Sequence, residues 1–359
     1  MIRYILKKLF YGILVLWGVI SLVFFLFNIL PGDPAQMMMS HREDSSQLEV
    51  MKKKYAFDKP LFEQYMLYLN DLSIISFHEN KDVEDHTYLD QHKYSFISLC
   101  STRNTTVVLK FPYFRESFVR NGKKVSDIIY ETLPATIVLA ISSIVIAVLF
   151  GILFGAFGAI NSGSFIDKFI LYFSSLGMSV PSFFSAIIIG WVFAYLLSDY
   201  TGLLMTGSLY SVDDYGRGEY LSLKNLILPS ITLGIRPLAV ITQITRSSLL
   251  DVLSADYIRT AHAKGLEGIK VIWKHAFRNA LNPVVTIVSG WFASLLAGAV
   301  FVEYIFGWNG LGKEIVNSLN TLDLPVLMGS VLIIVIIFVC INIMVDILYA
   351  IIDPRVQLK

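Results

Sequence analysis

DYIRTAHAKGLEGIKVIWKHAFRNALNP, residues 256–283, is a polar and basic stretch set between two strongly apolar ones. Within it, Thr260-Ala261-His262-Ala263-Lys264-Gly265 reads as a short helix stopped by a glycine, the residue that ends helices because it tolerates positive φ. Residues 266–277 read as a second short helix, ended by the Asn282-Pro283 step. A helix–glycine–helix of this polarity inside a membrane protein predicts a cytoplasmic loop that docks a soluble partner. An ordinary loop obeying the positive-inside rule accounts for the Lys and Arg content. It does not account for the small residues ahead of Gly265.

The whole chain agrees with a membrane setting. Of its 359 residues 55% are hydrophobic and 16% charged, and mean hydropathy is +0.62, where soluble domains carry about 25% charged residues. A net charge of +1 argues against nucleic acid as a partner, because neutralising phosphates needs a basic field. Cys100 falls in a polar loop and Cys340 in an apolar segment, so no disulfide is expected.

About 20 apolar residues cross a bilayer core. Six stretches qualify: 9–30, 133–160, 169–197, 226–250, 284–305 and 326–352. The first is about 22 residues long, beyond the apolar run of a signal peptide, and no small-x-small site follows it. It reads as a retained transmembrane helix (residues 1–32). Arg3, Lys7 and Lys8 precede it and place the N-terminus in the cytoplasm. Alternation then puts 161–168, the loop 251–282 and the C-terminal tail on the same side. Arg259, Lys264, Lys270, Lys274 and Arg278 outnumber Asp251, Asp256 and Glu267 in that loop, which supports the topology independently.

Residues 33–132 form the one long extracytoplasmic segment. Within it, 48–72 read as one or two amphipathic helices on the outer membrane surface, with Pro60 near the first position of the second. The stretch 73–110 reads as an extra polar element, and 105–109 has the β character of a small hairpin. Residues 133–359 form the core. The expected class is therefore all-α and polytopic, with six spans, coupling helices between spans four and five, and an enlarged segment between spans one and two. Gly151, Gly155 and Gly158 put small residues on one helix face, which favours close helix packing in lipid. Pro181 and Pro237 are expected to kink spans three and four.

The 256–283 stretch resembles the EAA signature of ATP-binding-cassette (ABC) importer permeases, in the form found in the dipeptide/oligopeptide/nickel permease family. Further motifs agree with it: Asn28-Ile29-Leu30-Pro31-Gly32-Asp33-Pro34, Phe57-Asp58-Lys59-Pro60-Leu61 with Gln64-Tyr65, and Glu131-Thr132-Leu133-Pro134-Ala135-Thr136. So do Leu228-Pro229-Ser230-Ile231-Thr232-Leu233, the run from Glu303 to Gly312, Asn342 through Asp346 to Tyr349, and Asp353-Pro354-Arg355. They run in order along nearly the whole chain. The resemblance implies a permease of the bacterial inner membrane, paired with a second similar permease, two ABC ATPases and an extracytoplasmic solute-binding protein. It assigns Asp256, Tyr257, Arg259, Thr260, Ala261, Ala263, Lys264, Gly265 and Leu266 to ATPase coupling, with Ala261 and Ala263 allowing close approach to the ATPase groove. Two departures stand out, the insert from Ser73 to about Lys110 and Arg236 inside span four.

Gly307-Trp308-Asn309-Gly310-Leu311-Gly312-Lys313 imitates the start of a Walker A loop. Glu314 replaces its Ser/Thr and no strand precedes it, so it reads as a turn and interfacial helix. This chain is expected to bind no cofactor, with ATP used by partner subunits. His78, His86 and His92 among Glu79, Asp82, Glu84, Asp85 and Asp90 have the donor types for a transition metal but fit no known spacing, and no metal is expected. No nucleophile–base pair or two-histidine pair falls within the spans, so no enzyme is expected. Arg236, Glu303, Asn342 and Asp346 are the polar groups in or at the ends of spans, and they are substrate-pathway candidates against a structural reading as interhelical bonds. The function expected is ATP-driven import of peptides or a related small solute. The alternative is a mechanotransmission or export subunit that signals through the enlarged outer segment.

Overall fold

A computed structural model of the chain describes residues 2–29, 56–80, 86–89, 94–102, 104–120, 122–212 and 218–352. In chain order, α1 (Ile2–Ile29) and α2 (Leu61–Leu72) precede strands β1 (Ile75–Glu79), β2 (Phe96–Ser101) and β3 (Thr105–Lys110). Then come α3 (Val125–Ile160), α4 (Phe165–Ser179), α5 (Ser182–Ile189) with a π-helical continuation Gly190–Leu196, and α6 (Ser198–Thr201). Strands β4 (Tyr210–Val212) and β5 (Glu219–Leu221) lead to α7 (Lys224–Leu253), α8 (Asp256–Ala263) and α9 (Gly268–Val271). A π turn, Ile272–Ala276, joins α9 to α10 (Phe277–Ala280), and α11 (Asn282–Ile305), α12 (Leu311–Thr321) and α13 (Leu324–Ile352) follow.

The chain is mostly helical, with small sheets that an all-α expectation lacks. Among the described residues, four helices are each long and apolar enough to cross a membrane: Leu6–Leu26, Val125–Ile160, Lys224–Leu253 and Leu324–Ile347. The described residues hold two more candidates, each a bent pair that counts as a span if its halves are joined, Phe165–Ser179 with Ser182–Leu196 at 111° and Ile272–Ala280 with Asn282–Gly298 at 46°. The third span is thus bent at Pro181, where a kink is expected, and the bend amounts to a break between α4 and α5. Pro181 brings no N–H and forces Val180 out of the helical region, to φ −81° and ψ 128°. Pro237, by contrast, lies inside the uninterrupted α7.

Contacts divide the chain into two units. One comprises Ile13–Glu131 and Glu314–Ile333. In it β1, β3 and β2 form an antiparallel sheet in that order, a strand more than the expected hairpin. Its polarity is inverted. Ser76, His78, Thr106 and Lys110 point inward and are buried, while Ile75, Phe77, Ile97 and Leu99 are exposed. The inward polar groups satisfy one another, as burial requires. His78 Nδ1–H donates to the Thr87 carbonyl and Ser76 Oγ–H to Nε2, each at 2.9 Å. Asp71 accepts from Tyr94 Oη at 3.0 Å and pairs with Arg115 Nε at 2.8 Å. Burial, with Asp71 beside it, holds the Tyr94 phenol well above its usual range. Both ring nitrogens of His78 are therefore engaged within the protein, while His92, Asp82, Glu84, Asp85 and Asp90 lie outside the described residues. Helix α2 is capped by Pro60 and buries Tyr65, Tyr68, Asp71 and Leu72, with Tyr68 stacked on Phe24 of α1 at 5.9 Å. The expected helix ahead of it falls outside the described residues up to Ala56. The Asn28–Pro34 motif is only partly described, and Asp353-Pro354-Arg355 not at all.

The other unit comprises Met1–Gly12, Thr132–Lys313 and Ile334–Lys359. Its core joins Leu139, Ala140 and Ile144 of α3, Ala186 of α5, Leu228 and Leu233 of α7, and Leu295 to Val302 of α11 with Phe306 and Trp308. The glycine face of α3 sets its distance from α7. A Cβ on Gly155 would lie 2.6 Å from the Thr242 carbonyl oxygen, and one on Gly151 2.8 Å from Ile241. Both substitutions would force the helices apart, as expected of small residues at a helix crossing.

Candidate functional site

The end of α7 turns into the predicted docking loop through Ser254, whose hydroxyl donates to the Asp251 carbonyl at 2.7 Å. Helix α8 then runs to Ala263. Gly265 has φ +79°, and Lys264 N–H to Thr260 C=O at 3.1 Å and Leu266 N–H to Ala261 C=O at 3.3 Å close the turn. The second element differs from the expected single helix. It starts at Gly268, widens into the π turn and ends at Ala280, while Asn282-Pro283 opens α11. Proline suits a helix start, because its missing N–H has no partner there anyway.

An apolar seat underlies this loop. Ile258 and Ala261 of α8 are buried with Val271, Ala276 and Ala280 against Leu249 of α7 and Ala159 of α3. Ala261 thus faces the protein's own core, a correction to its expected place on the docking face. Its small side chain lets α8 settle onto the helices beneath. The outward side carries Asp256, Tyr257, Arg259, Thr260, Ala263, Lys264, Gly265 and Leu266, all exposed, and Trp273 stacks near Phe277 at 4.9 Å. The Arg259–Asp256 and Lys270–Glu267 ion pairs, 3.6 and 2.9 Å, are solvent-exposed and contribute little. Asn279 Nδ2 donates to Tyr257 Oη at 3.1 Å and ties α10 to α8.

Beneath the seat lies a pair that sequence reading passed over. Arg246 of α7 grips Asp167 at the start of α4, and Asp167 Oδ2 also accepts from Gly163 N–H at 2.9 Å. Ser164 caps α4 by accepting the Asp167 N–H at 3.2 Å. A serine followed three residues later by an acid just before an apolar run was the available signal.

The Walker A look-alike has a different content. Gly307 adopts φ +62°, and the Trp308 indole N–H donates to the Ala135 carbonyl at 3.0 Å. The Glu303 carboxylate is fully buried and accepts from Gly312 N–H at 2.7 Å and Lys313 N–H at 3.1 Å. The amides that would cradle a phosphate therefore hold the protein's own carboxylate at the start of α12. A Cβ on Gly310 would sit 2.4 Å from Glu303 Oε2, so the motif's glycines make room for that acid.

Of the pathway candidates, Glu303 is thus committed to α12 and lines no open surface. Asp346 pairs with Lys8 Nζ at 2.7 Å, α13 to α1, next to the contact of Gly12 with Val339. Asn342 donates to the Phe338 carbonyl at 2.8 Å within its own helix. Arg236 is exposed on α7. The structure does not gather the four into one site.

Residues 147–358 match the model of the binding-protein-dependent transport system inner membrane component, and 1–87 match the N-terminal model of the same transport system's membrane component. The chain belongs to this permease family. Similar permeases include the dipeptide transport system permease protein DppB of Alkalihalophilus pseudofirmus, 32% identical over 99% of this chain and 100% of that one. The oligopeptide transport system permease protein AppB of Bacillus subtilis is 33% identical over 99% and 100%. The glutathione transport system permease protein GsiC of Escherichia coli is 32% identical over the full length of both. In this permease the family match spans α8, α10, the Arg246 end of α7 and the Glu303 turn, whereas β2 and β3 fall between the two matched regions.

Proposed function

We propose that this permease is one of two similar membrane subunits of an ATP-driven importer for peptides or a related small solute. Its partners are two ABC ATPases, which use the ATP, and an extracytoplasmic solute-binding protein that delivers the cargo. In this reading each bent helix pair counts as one span, making six, and the N-terminus, preceded by Arg3, Lys7 and Lys8, is cytoplasmic, so residues 251–282 fall on the ATPase side. The chain carries no nucleotide site of its own, in keeping with the Gly312 and Lys313 amides being taken by Glu303.

One observation carries the coupling role. The helix–glycine–helix is seated from below on apolar packing of Ile258, Ala261 and Val271, yet its outer side is open and mostly polar. Movement of an ATPase bound to Tyr257, Arg259, Thr260, Ala263, Lys264 and Leu266 passes through that seat to α7, which α8 follows directly, as a rigid-body step. Asp256 supports the face by starting α8.

The test is to purify the complex from its native membrane with wild-type and Gly265→Asp permease. We expect two ATPases and a second permease with the wild type, and loss of the ATPases and of uptake with the variant. Normal uptake by Gly265→Asp would sink the coupling assignment.

A further inference from the structure

Arg236 is the thirteenth residue of α7, in the middle of a helix that crosses the membrane, and its side chain is exposed. Among the described residues it makes no ion pair or hydrogen bond. Arg246, ten residues on in the same helix, is neutralised by Asp167. A guanidinium is charged at any physiological pH, so an unpaired one at this depth needs water or an anion.

The surface around it shows which. Gln243 and Ser247, at i+7 and i+11, share its helix face and are half-buried and exposed. Asp251 and Ser254, exposed, continue that side to the helix end. On the other side of Arg236, Pro229, Thr232 and Leu233 on the same face are buried. Toward the coupling end Ala239 is buried and Val240 half-buried, and beyond them Gln243 and Ser247 bring polar groups to the face; on its other side the face closes just beyond Arg236. Exposed faces that meet lipid look different: α3 presents Ile141, Val145, Leu149, Leu153 and Phe157.

We propose that Arg236 holds an anionic group of the transported solute at the closed end of this wetted face, and so selects solutes with a free carboxylate. The inference rests on the import reading above. For a peptide cargo the group is the C-terminal carboxylate, which guanidinium matches with two parallel N–H···O bonds. Lysine in its place keeps the charge and loses the fork.

The test compares uptake of alanyl-alanine and alanyl-alaninamide by the complete transporter, with its binding protein, in liposomes. Any preference of the binding protein is common to all variants and cancels between them. Wild type should favour the acid, Arg236→Gln should lower that preference about tenfold, the scale of one charge-assisted bond, and Arg236→Lys should keep most of it. An unchanged acid-to-amide ratio in Arg236→Gln overturns the proposal. Loss of the second permease on purification of Arg236→Gln overturns it too, in favour of an intersubunit ion pair. Wild type that takes up neither probe refutes the peptide-import reading instead, and the carboxylate role falls with it.

Discussion

Arg246 meets Asp167 at two points, Nε to Oδ1 at 2.5 Å and Nη2 to Oδ2 at 2.7 Å, joining α7 to the start of α4. Asp167 is 2% exposed, so removing its partner leaves a buried carboxylate with one remaining backbone donor. Breaking a buried pair from one side costs about 3 kcal/mol, whereas replacing both partners by apolar groups costs much less. Arg246→Met should therefore lower the melting midpoint of the purified protein clearly, and Asp167→Leu with Arg246→Met should recover most of the loss. Equal losses in the single and double variants would show that the pair does not act as a unit.

Glu303 gives a graded series. Glu303→Ala orphans the Gly312 and Lys313 amides, at about 1–3 kcal/mol. Glu303→Gln should be milder, because its carbonyl can replace Oε2, which accepts both bonds. Gly312→Ala should be the worst, since its Cβ would lie 2.6 Å from Val300 Cα, which is backbone and cannot turn aside. Thermal unfolding of the three variants in detergent checks the order. Glu303→Gln melting below Gly312→Ala would overturn the capping role.

The α3–α7 contact predicts an opposed pair. Gly155→Val should destabilise strongly, because even a Cβ there meets Thr242 O and Thr245 Cβ at 2.6 Å. Gly18→Ala, with open space around its Cβ, should be neutral or slightly stabilising through helix propensity. Yield and melting midpoint of the two variants distinguish them, and similar behaviour would mean the glycine face sets no distance.

The features legible in the sequence were those carried by local chemistry. The glycine stop at 265 and the small face of α3 follow from φ tolerance and spacing, and both are found in the structure. What the sequence could not show depended on contacts distant in the chain. Glu303 looked like a pathway acid because nothing local says that Gly312 N–H returns to it. Ala261 looked like a docking residue because its neighbours are polar, yet its own position in α8 turns it inward. The insert looked like a polar decoration because period-two alternation does not say which face is covered. Here the covered face is the polar one, held by Asp71 from a preceding helix. At Pro181 the sequence marked the place of the break but not its size, since proline removes one bond and neighbouring packing sets the angle.

Gly265 separates strain from charge. Its φ of +79° is open to glycine and tolerated by asparagine and aspartate, while most other side chains pay about 1 kcal/mol or more there. Open space surrounds its Cβ position, so no clash adds to that cost. Gly265→Asn should then keep the turn, the ATPases and most of the uptake. Gly265→Ala should loosen the turn and lower uptake several-fold with ATPase binding weakened. Gly265→Asp places an anion on the docking face and should abolish uptake. Uptake and ATPase co-purification across the three decide between the causes. If Asn fails as badly as Asp, then the absence of any side chain at 265, and not its backbone angle, is what the partner requires.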